Sequence, residues 1–300
     1  MENAQTSKRE EWFNRNYKKL LVIPAILLIL SLYYVFNTFQ ETGDIIHRDI
    51  TLTGGTSVTI LGDIDKEGLE SFISGKFDDY QIKEVRDLAT GKRDAVIVDT
   101  NAGADETKDI LEEFLGYELN EENSSIEFTG AVIGQGFYQQ LRIAILFAFV
   151  LMSIVIFIIF RTFVPSLAVI LAAFADIVMT LGIIDFVGIR ISGAGIVALL
   201  MLIGYSVDSD ILLTSRVLRS REDSVNERIL SAFKTGMLMT LAALGAVIVA
   251  LIIVYRFSDV LTQIFGILTI GLLFDIINTW ITNVGILKMY VERKSPGEIK

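Results

Sequence analysis

The chain of 300 residues has no cysteine and a single histidine, His47. Disulfides, thiolate metal sites and cysteine nucleophiles are therefore excluded. A histidine metal cluster or a Ser-His-Asp triad has almost no material to draw on. Only three prolines occur, so long helices can run without interruption. Basic side chains are in deficit: 26 Lys and Arg face 36 Asp and Glu, a net charge of −10. The deficit is local. Residues 37–138 hold 22 acidic and 8 basic residues, net −14, and the remainder carries +4. So acidic a region argues against a nucleic-acid partner. The glycines Gly193, Gly195 and Gly204 lack a Walker pattern and read as helix-packing positions, with no nucleotide, metal or other cofactor implied.

What the chain has in excess is apolar length, with 52% hydrophobic residues. A membrane span needs about 20 mostly apolar residues. Six stretches qualify, near 20–36, 143–160, 163–186, 191–213, 236–255 and 260–281. The first is followed by Tyr33-Tyr34 and no small-residue cleavage site, so it reads as a retained span. Lys and Arg set the orientation. Fifteen lie on one side: Lys8, Arg9, Arg15, Lys18, Lys19, Arg161, Arg216, Arg219, Arg221, Arg228, Lys234, Lys288, Arg293, Lys294 and Lys300. Only Arg142, Arg190 and Arg256 flank spans on the other. The expectation is a cytoplasmic N-terminus (1–19), an external domain (37–138), a five-span region (139–285) and a cytoplasmic tail (286–300).

The external domain reads as strand, helix, strand, strand, helix, strand. The segments are Ile50–Leu61, Asp65–Gly75, Gln81–Leu88, Asp94–Asp99, Asp105–Leu115 and Ser125–Ala131, with a Thr90-Gly91 turn in the hairpin. Gly54-Gly55 marks a bulge or a close backbone approach. This order predicts a ferredoxin-like α+β domain. The fold class is thus a multi-span α-helical membrane protein of six transmembrane helices with a small ferredoxin-like extracytoplasmic domain.

Charge inside the bilayer costs about 2.5–3.5 kcal/mol per group on insertion scales and marks candidate function. Asp176, Asp208, Asp210 and Asp275 lie within spans, whereas Asp185 sits at an outer end and reads as interfacial. Depth counting places Asp208, Thr240, Asp275 and Asn278 in one possible polar layer. Thr279 lies four residues after Asp275. Asp208 and Asp210 are about 200° apart around their helix, so one should face this bundle and the other a second subunit. For Asp176 and Asp275 a packing role and an ion-coupling role are both open, and Asn278, Thr240 and Thr279 also fit simple interhelical hydrogen bonding. His47 reads as a plain loop residue.

The stretch Ile203-Gly204-Tyr205-Ser206-Val207-Asp208-Ser209-Asp210-Ile211-Leu212-Leu213, followed by Arg216-Val217-Leu218, resembles the fourth-span motif of the SecF subunits of the Sec protein-export machinery, in the SecD/SecF family of the RND superfamily. Asp49–Ser57 with Gly54-Gly55 resembles the motif opening the first outer domain. Arg228–Thr240 and Phe265–Asn283 resemble the fifth-span entry and the sixth span. Bacterial SecF places Asn-Asp-Thr where this chain has Asp208-Ser209-Asp210. The family's carboxylate position is thus Ser209 here, while Asp208 matches the SecD-type position. Lys234 stands where the family has Arg, and Asp176 matches an acidic third-span position. These departures resemble the archaeal branch.

The resemblance implies a non-enzymatic, RND-type half in the plasma membrane, with both termini cytoplasmic. It implies pairing with a SecD-like subunit, work beside a SecY/SecE-type channel on exported preproteins, and coupling to the proton gradient. Membrane lipid is the remaining contact. The alternatives are an RND-type small-molecule or lipid transporter subunit, or a scaffold without ion coupling.

Overall fold

A computed structural model describes residues 14–86, 93–219, 224–255 and 258–294. The expected Thr90-Gly91 turn lies outside the described residues, as do Lys8, Arg9, Arg221, Arg256 and Lys300 of the charge count. Among the described residues six helices are long and apolar enough to cross a membrane: Asn14–Thr42, Ala131–Phe160, Phe163–Val187, Gly193–Leu218, Val225–Val254 and Asp259–Lys294. In chain order the helices are α1 (Val22–Thr42), α2 (Ile50–Thr53), α3 (Lys66–Ile73), α4 (Ala104–Leu115), α5 (Ala131–Phe160), α6 (Phe163–Val187), α7 (Gly193–Arg219), α8 (Val225–Val254) and α9 (Asp259–Ile277). A π-helical turn, Asn278–Asn283, joins α9 to α10 (Val284–Lys294).

The bundle is built around α6 and α7. Leu181 and Ile184 of α6 pack with Ile196, Leu199 and Leu202 of α7 and with Leu268 and Leu272 of α9. Alanines and Gly182 let α6 sit tightly; a Cβ at Gly182 would overlap Ser31 of α1. By contrast, α5 and α8 leave Leu146, Phe147, Leu151, Leu241, Val249 and Ile252 exposed, as lipid-facing helices do.

Between the first two long helices the described residues form one four-stranded sheet: β1 (Gly55–Leu61), β2 (Tyr80–Arg86), β3 (Arg93–Thr100) and β4 (Ser124–Thr129). The order is β2-β3-β1-β4, antiparallel throughout, the ferredoxin-like arrangement. Val58 and Ile60 pair with Val98 and Val96, and this face packs on Leu69, Ile73 and Leu111 of α3 and α4. Burial of these branched side chains drives the domain's folding at about 25 cal/mol per Å².

Local readings shift at several ends. Ile50–Thr53, expected as strand, is the short helix α2, because the Asp49 carboxylate accepts the Thr51 N–H at 3.2 Å and caps it. Gly54 then turns the chain at φ 86° into β1. The second helix of this domain, expected from Asp105, begins at Ala104 with Gly103 as its N-cap. Ala131 opens α5 instead of closing β4. The α5 helix, 30 residues or about 45 Å long, outreaches a hydrocarbon core of about 30 Å. Its first turns therefore stand against the sheet domain.

Candidate functional site: an intramembrane carboxylate cluster

The buried side of α7 carries Ser206, Ser209, Asp210, Leu213, Thr214 and Val217, at the three- and four-residue spacing of one helical face. Its opposite side exposes Met201, Gly204, Tyr205 and Asp208. The roughly 200° separation of the two aspartates is thus realised with Asp210 inward and Asp208 outward.

Across from Ser206 and Asp210 stand Asp176 of α6, Asp275 of α9 and the π turn. Asp176 accepts Asn278 Nδ2 at 2.7 Å through Oδ1 and the Ser206 hydroxyl through Oδ2. Asp275 accepts Ser209 Oγ at 3.2 Å and Thr279 Oγ1 at 3.1 Å. Thr279 Oγ1 also lies 2.9 Å from Asp210 Oδ1, which accepts Asn283 Nδ2 at 2.7 Å as well. Asp176, Asp210 and Asp275 are at most 1% exposed. Among the described residues no Lys, Arg or His pairs with any of them. The carboxylates are spread along the network; no three His, Cys, Asp or Glu residues in the described chain are placed to hold a metal ion.

The π turn is what lets α9 reach both sides. Widening the helix by one residue directs Asn278 to Asp176 while Thr279 and Asn283 reach Asp210. Such turns concentrate at functional sites. Sequence reasoning identified Asp176, Asp210, Asp275, Asn278, Thr279 and Ser209. It missed Ser206 and Asn283, whose signal was their spacing: Ser206 precedes Asp210 by four residues and Asn283 follows Thr279 by four.

The expected layer of Asp208, Thr240, Asp275 and Asn278 is not assembled as such. Asp208 is exposed on the outer side of α7, and Lys234 is exposed on α8. Thr240 is buried, but no hydrogen bond joins it to the cluster. Arg216 holds the α7–α8 junction instead, donating to Ser231 O at 2.6 Å and Ser231 Oγ at 2.9 Å. Among the glycines, Gly193 and Gly195 do pack closely, their Cβ positions 2.7 Å from the Phe137 ring and 2.8 Å from Gln263 respectively. Gly204 does not: it faces open space beside Tyr205 and Asp208.

The Gly54-Gly55 pair is a close backbone approach. A Cβ on Gly54 would overlap Ala131 at the start of α5, and one on Gly134 would fall 2.7 Å from Gly54 N. Polar contacts fasten the same junction. Tyr138 OH donates to Asp44 Oδ1 at 2.6 Å, Ile191 N donates to His47 O at 2.7 Å, and Arg190 forks onto Asp79. His47 makes a contact from its loop: its Nδ1 lies 3.6 Å from the carboxylate of Asp185, which is buried near the C-terminal end of α6. Lys83 lies 2.8 Å from Asp99 and 3.4 Å from Asp49. Burial pushes its ammonium down, but Asp49 and Asp99 outweigh that, and Lys83 holds its proton above the ordinary lysine range.

A family model described as "Protein export membrane protein SecD/SecF, C-terminal" matches residues 109–293. The protein-export membrane protein SecF of Methanocaldococcus jannaschii is 39% identical over 284 residues, covering 92% of this chain and 96% of that protein. That of Methanolacinia petrolearia is 40% identical over 280 residues, covering 92% and 94%. These relatives are named as membrane proteins of protein export, not as enzymes. A crystal structure of SecDF, a translocon-associated membrane protein from Thermus thermophilus, shares the fold with a TM-score of 0.73 at 21% identity. It matches 93% of this chain, which spans 38% of that longer one. With the family model spanning more than half the chain and curated relatives matching nearly all of it, the chain belongs to the SecF family of protein-export membrane proteins.

Proposed function

We propose that this chain acts with a SecD-type subunit to promote protein export across the plasma membrane, drawing on the proton gradient. The observation that carries the reading is the Asp176–Asp210–Asp275 cluster. Three carboxylates are buried in one hydrogen-bonded network that ties α6, α7 and α9 together, with no cationic side chain paired to them among the described residues. Such a network is short of positive charge, and an ion arriving from either side changes what holds three helices together. One charge crossing 100 mV supplies about 2.3 kcal/mol, comparable to several interhelical hydrogen bonds.

In this proposal both termini face the cytoplasm, residues 37–138 lie outside, and residues 139–285 form the five-span region. The outward side of α7 is the partner face. Asp208 would be an unsatisfied carboxylate if lipid covered it, and the open space at Gly204 admits a close helix. A SecD-type span there would bring Asp208 into the ion path from the other side. The SecDF chain of the solved structure, of which this chain matches 38%, supports such a partner. A SecY/SecE-type channel and exported preproteins are the further partners. The test is export into membrane vesicles with and without an imposed proton gradient, comparing wild type with Asp275→Asn at matched expression. Loss of the gradient-dependent part in the variant is expected. A variant that exports and responds as wild type does would overturn the coupling role.

A further inference from the structure

Two arginines share one tyrosine where α5 leaves the membrane, and one carboxylate does not balance them. Tyr138 is 3% exposed, and its hydroxyl donates to Asp44 Oδ1 at 2.6 Å. The Arg48 guanidinium lies over the Tyr138 ring, 5.2 Å from its centre. The Arg142 guanidinium lies over the same ring at 5.4 Å, so the two are within about 11 Å of each other. Arg48 Nε is 3.6 Å from Asp44 Oδ2. Among the described residues no carboxylate comes within ion-pair distance of Arg142. The group of Asp44, Arg48 and Arg142 therefore keeps one positive charge over, on an exposed arginine.

Depth sets what that charge meets. Arg142 stands 18 residues before Phe160, the last residue of α5, or about 27 Å along the helix. That is close to the hydrocarbon thickness of about 30 Å. With the end of α5 at one membrane surface, Arg142 is at the other, on the side of the sheet domain. Helical side chains lean toward the N-terminus of their helix, so the guanidinium leans away from the bilayer centre and into the headgroup layer. Ile143, Leu146 and Val150 follow it toward the bilayer centre on the same side of α5, 54%, 62% and 44% exposed, where an acyl chain runs. A guanidinium fork matches two oxygens of a phosphate, and the Tyr138 ring supports the arginine from behind. We propose that Arg142, with Arg48 on the same ring, binds the phosphate of an anionic phospholipid in the leaflet next to the sheet domain, with an acyl chain of that lipid along Ile143, Leu146 and Val150. A free phosphate ion shares the headgroup chemistry but has no use for the apolar stripe. The site makes no use of the carboxylate cluster, and it stands whether or not the chain couples export to a gradient.

The experiment uses the purified full chain in nanodiscs of mixed phosphatidylcholine and phosphatidylglycerol. Because the chain has no cysteine, Leu146→Cys takes a single fluorophore, and brominated acyl chains on one lipid at a time report which lipid lies against it. Leu30→Cys on α1, a position 51% exposed, is the reference. Phosphatidylglycerol is expected to be favoured about ten-fold at position 146 relative to position 30, the worth of one charge-assisted hydrogen bond. Arg142→Gln should remove the preference at 146 and leave quenching at 30 unchanged, which also shows that the variant is folded and embedded. Arg142→Lys keeps the charge but loses the fork, and should retain part of the preference. Equal lipid preference at 146 and 30, or a preference at 146 that survives Arg142→Gln, would overturn the site and leave Arg142 a side chain that meets only water. Inorganic phosphate, added with ionic strength held by chloride, should leave the preference in place. Loss of the preference under phosphate would overturn the lipid as occupant in favour of a free anion.

Discussion

Replacing Asp176 separates an ion-coupling carboxylate from a packing one. Asp176 is fully buried and accepts two hydrogen bonds, from Asn278 Nδ2 at 2.7 Å and from the Ser206 hydroxyl. Asp176→Asn keeps the size of the side chain. Its amide oxygen still accepts from Asn278, and its NH₂ can donate to Ser206 once that hydroxyl rotates to accept. The hydrogen-bond count is preserved, so the unfolding midpoint should stay within about 2 °C of wild type, a change below about 1 kcal/mol. Asp176→Leu leaves both donors unsatisfied. Interhelical hydrogen bonds in membranes are worth about 0.6–1.7 kcal/mol, so two cost about 1–3 kcal/mol and lower the midpoint by about 3–10 °C. Coupling predicts that Asp176→Asn, though stable, loses gradient-dependent export in vesicles. Two results would refute the reasoning. One is an Asn protein as destabilised as the Leu protein, which would deny the hydrogen-bond exchange. The other is an Asn protein that still answers the gradient in full, which would leave Asp176 a packing residue.

Other outcomes follow from the same geometry. Gly134→Ala should destabilise by about 1–3 kcal/mol, since its Cβ would fall 2.7 Å from Gly54 N, whereas Gly136→Ala, with open space around it, should be neutral or slightly stabilising; equal midpoints for the two would deny the close crossing. Lys83 is held above the ordinary lysine value in the folded protein, so its contribution is fully present below the unfolded lysine value of about 10.4 and is lost as pH rises through the folded value. The stability gap between wild type and Lys83→Met should therefore persist from neutral pH to about 10 and close above it, and a gap that closes near neutrality would contradict the clasp. Cysteines introduced at Ser71 and Ser224 should label from opposite sides of the membrane, and labelling of both by an impermeant reagent in intact cells would sink the proposed orientation.

The linear sequence determined a good deal of this protein by itself. Twenty-residue apolar runs leave few alternatives to membrane-crossing helices, and short β-branched-containing segments between helical ones, set off by Gly and Asp, spell the βαββαβ order of the sheet domain. The same reasoning separated Asp208 from Asp210, because helical geometry puts residues two apart on opposite faces whatever surrounds them. Which aspartate faces inward was decided only by tertiary packing. Helical period states relative direction and not which neighbour occupies it, and depth counting drew Asp208 and Thr240 into a layer that the rotation of α7 and α8 keeps apart. The π turn at Asn278–Asn283 lay equally beyond reach. A one-residue widening has no propensity signature, since it is stabilised by the partners it meets: Asp176 and Asp210 lie 107 and 73 residues before its last residue, Asn283, and come to it only when α6, α7 and α9 pack. Gly54 shows both halves at once. Its need for a close approach was legible as a glycine pair at a strand's start, but that the approaching backbone is Ala131, at the head of a helix that overshoots the membrane, is a fact of the fold. Local chemistry is written in the chain, whereas contacts between residues distant in sequence exist only once burial has chosen which faces meet.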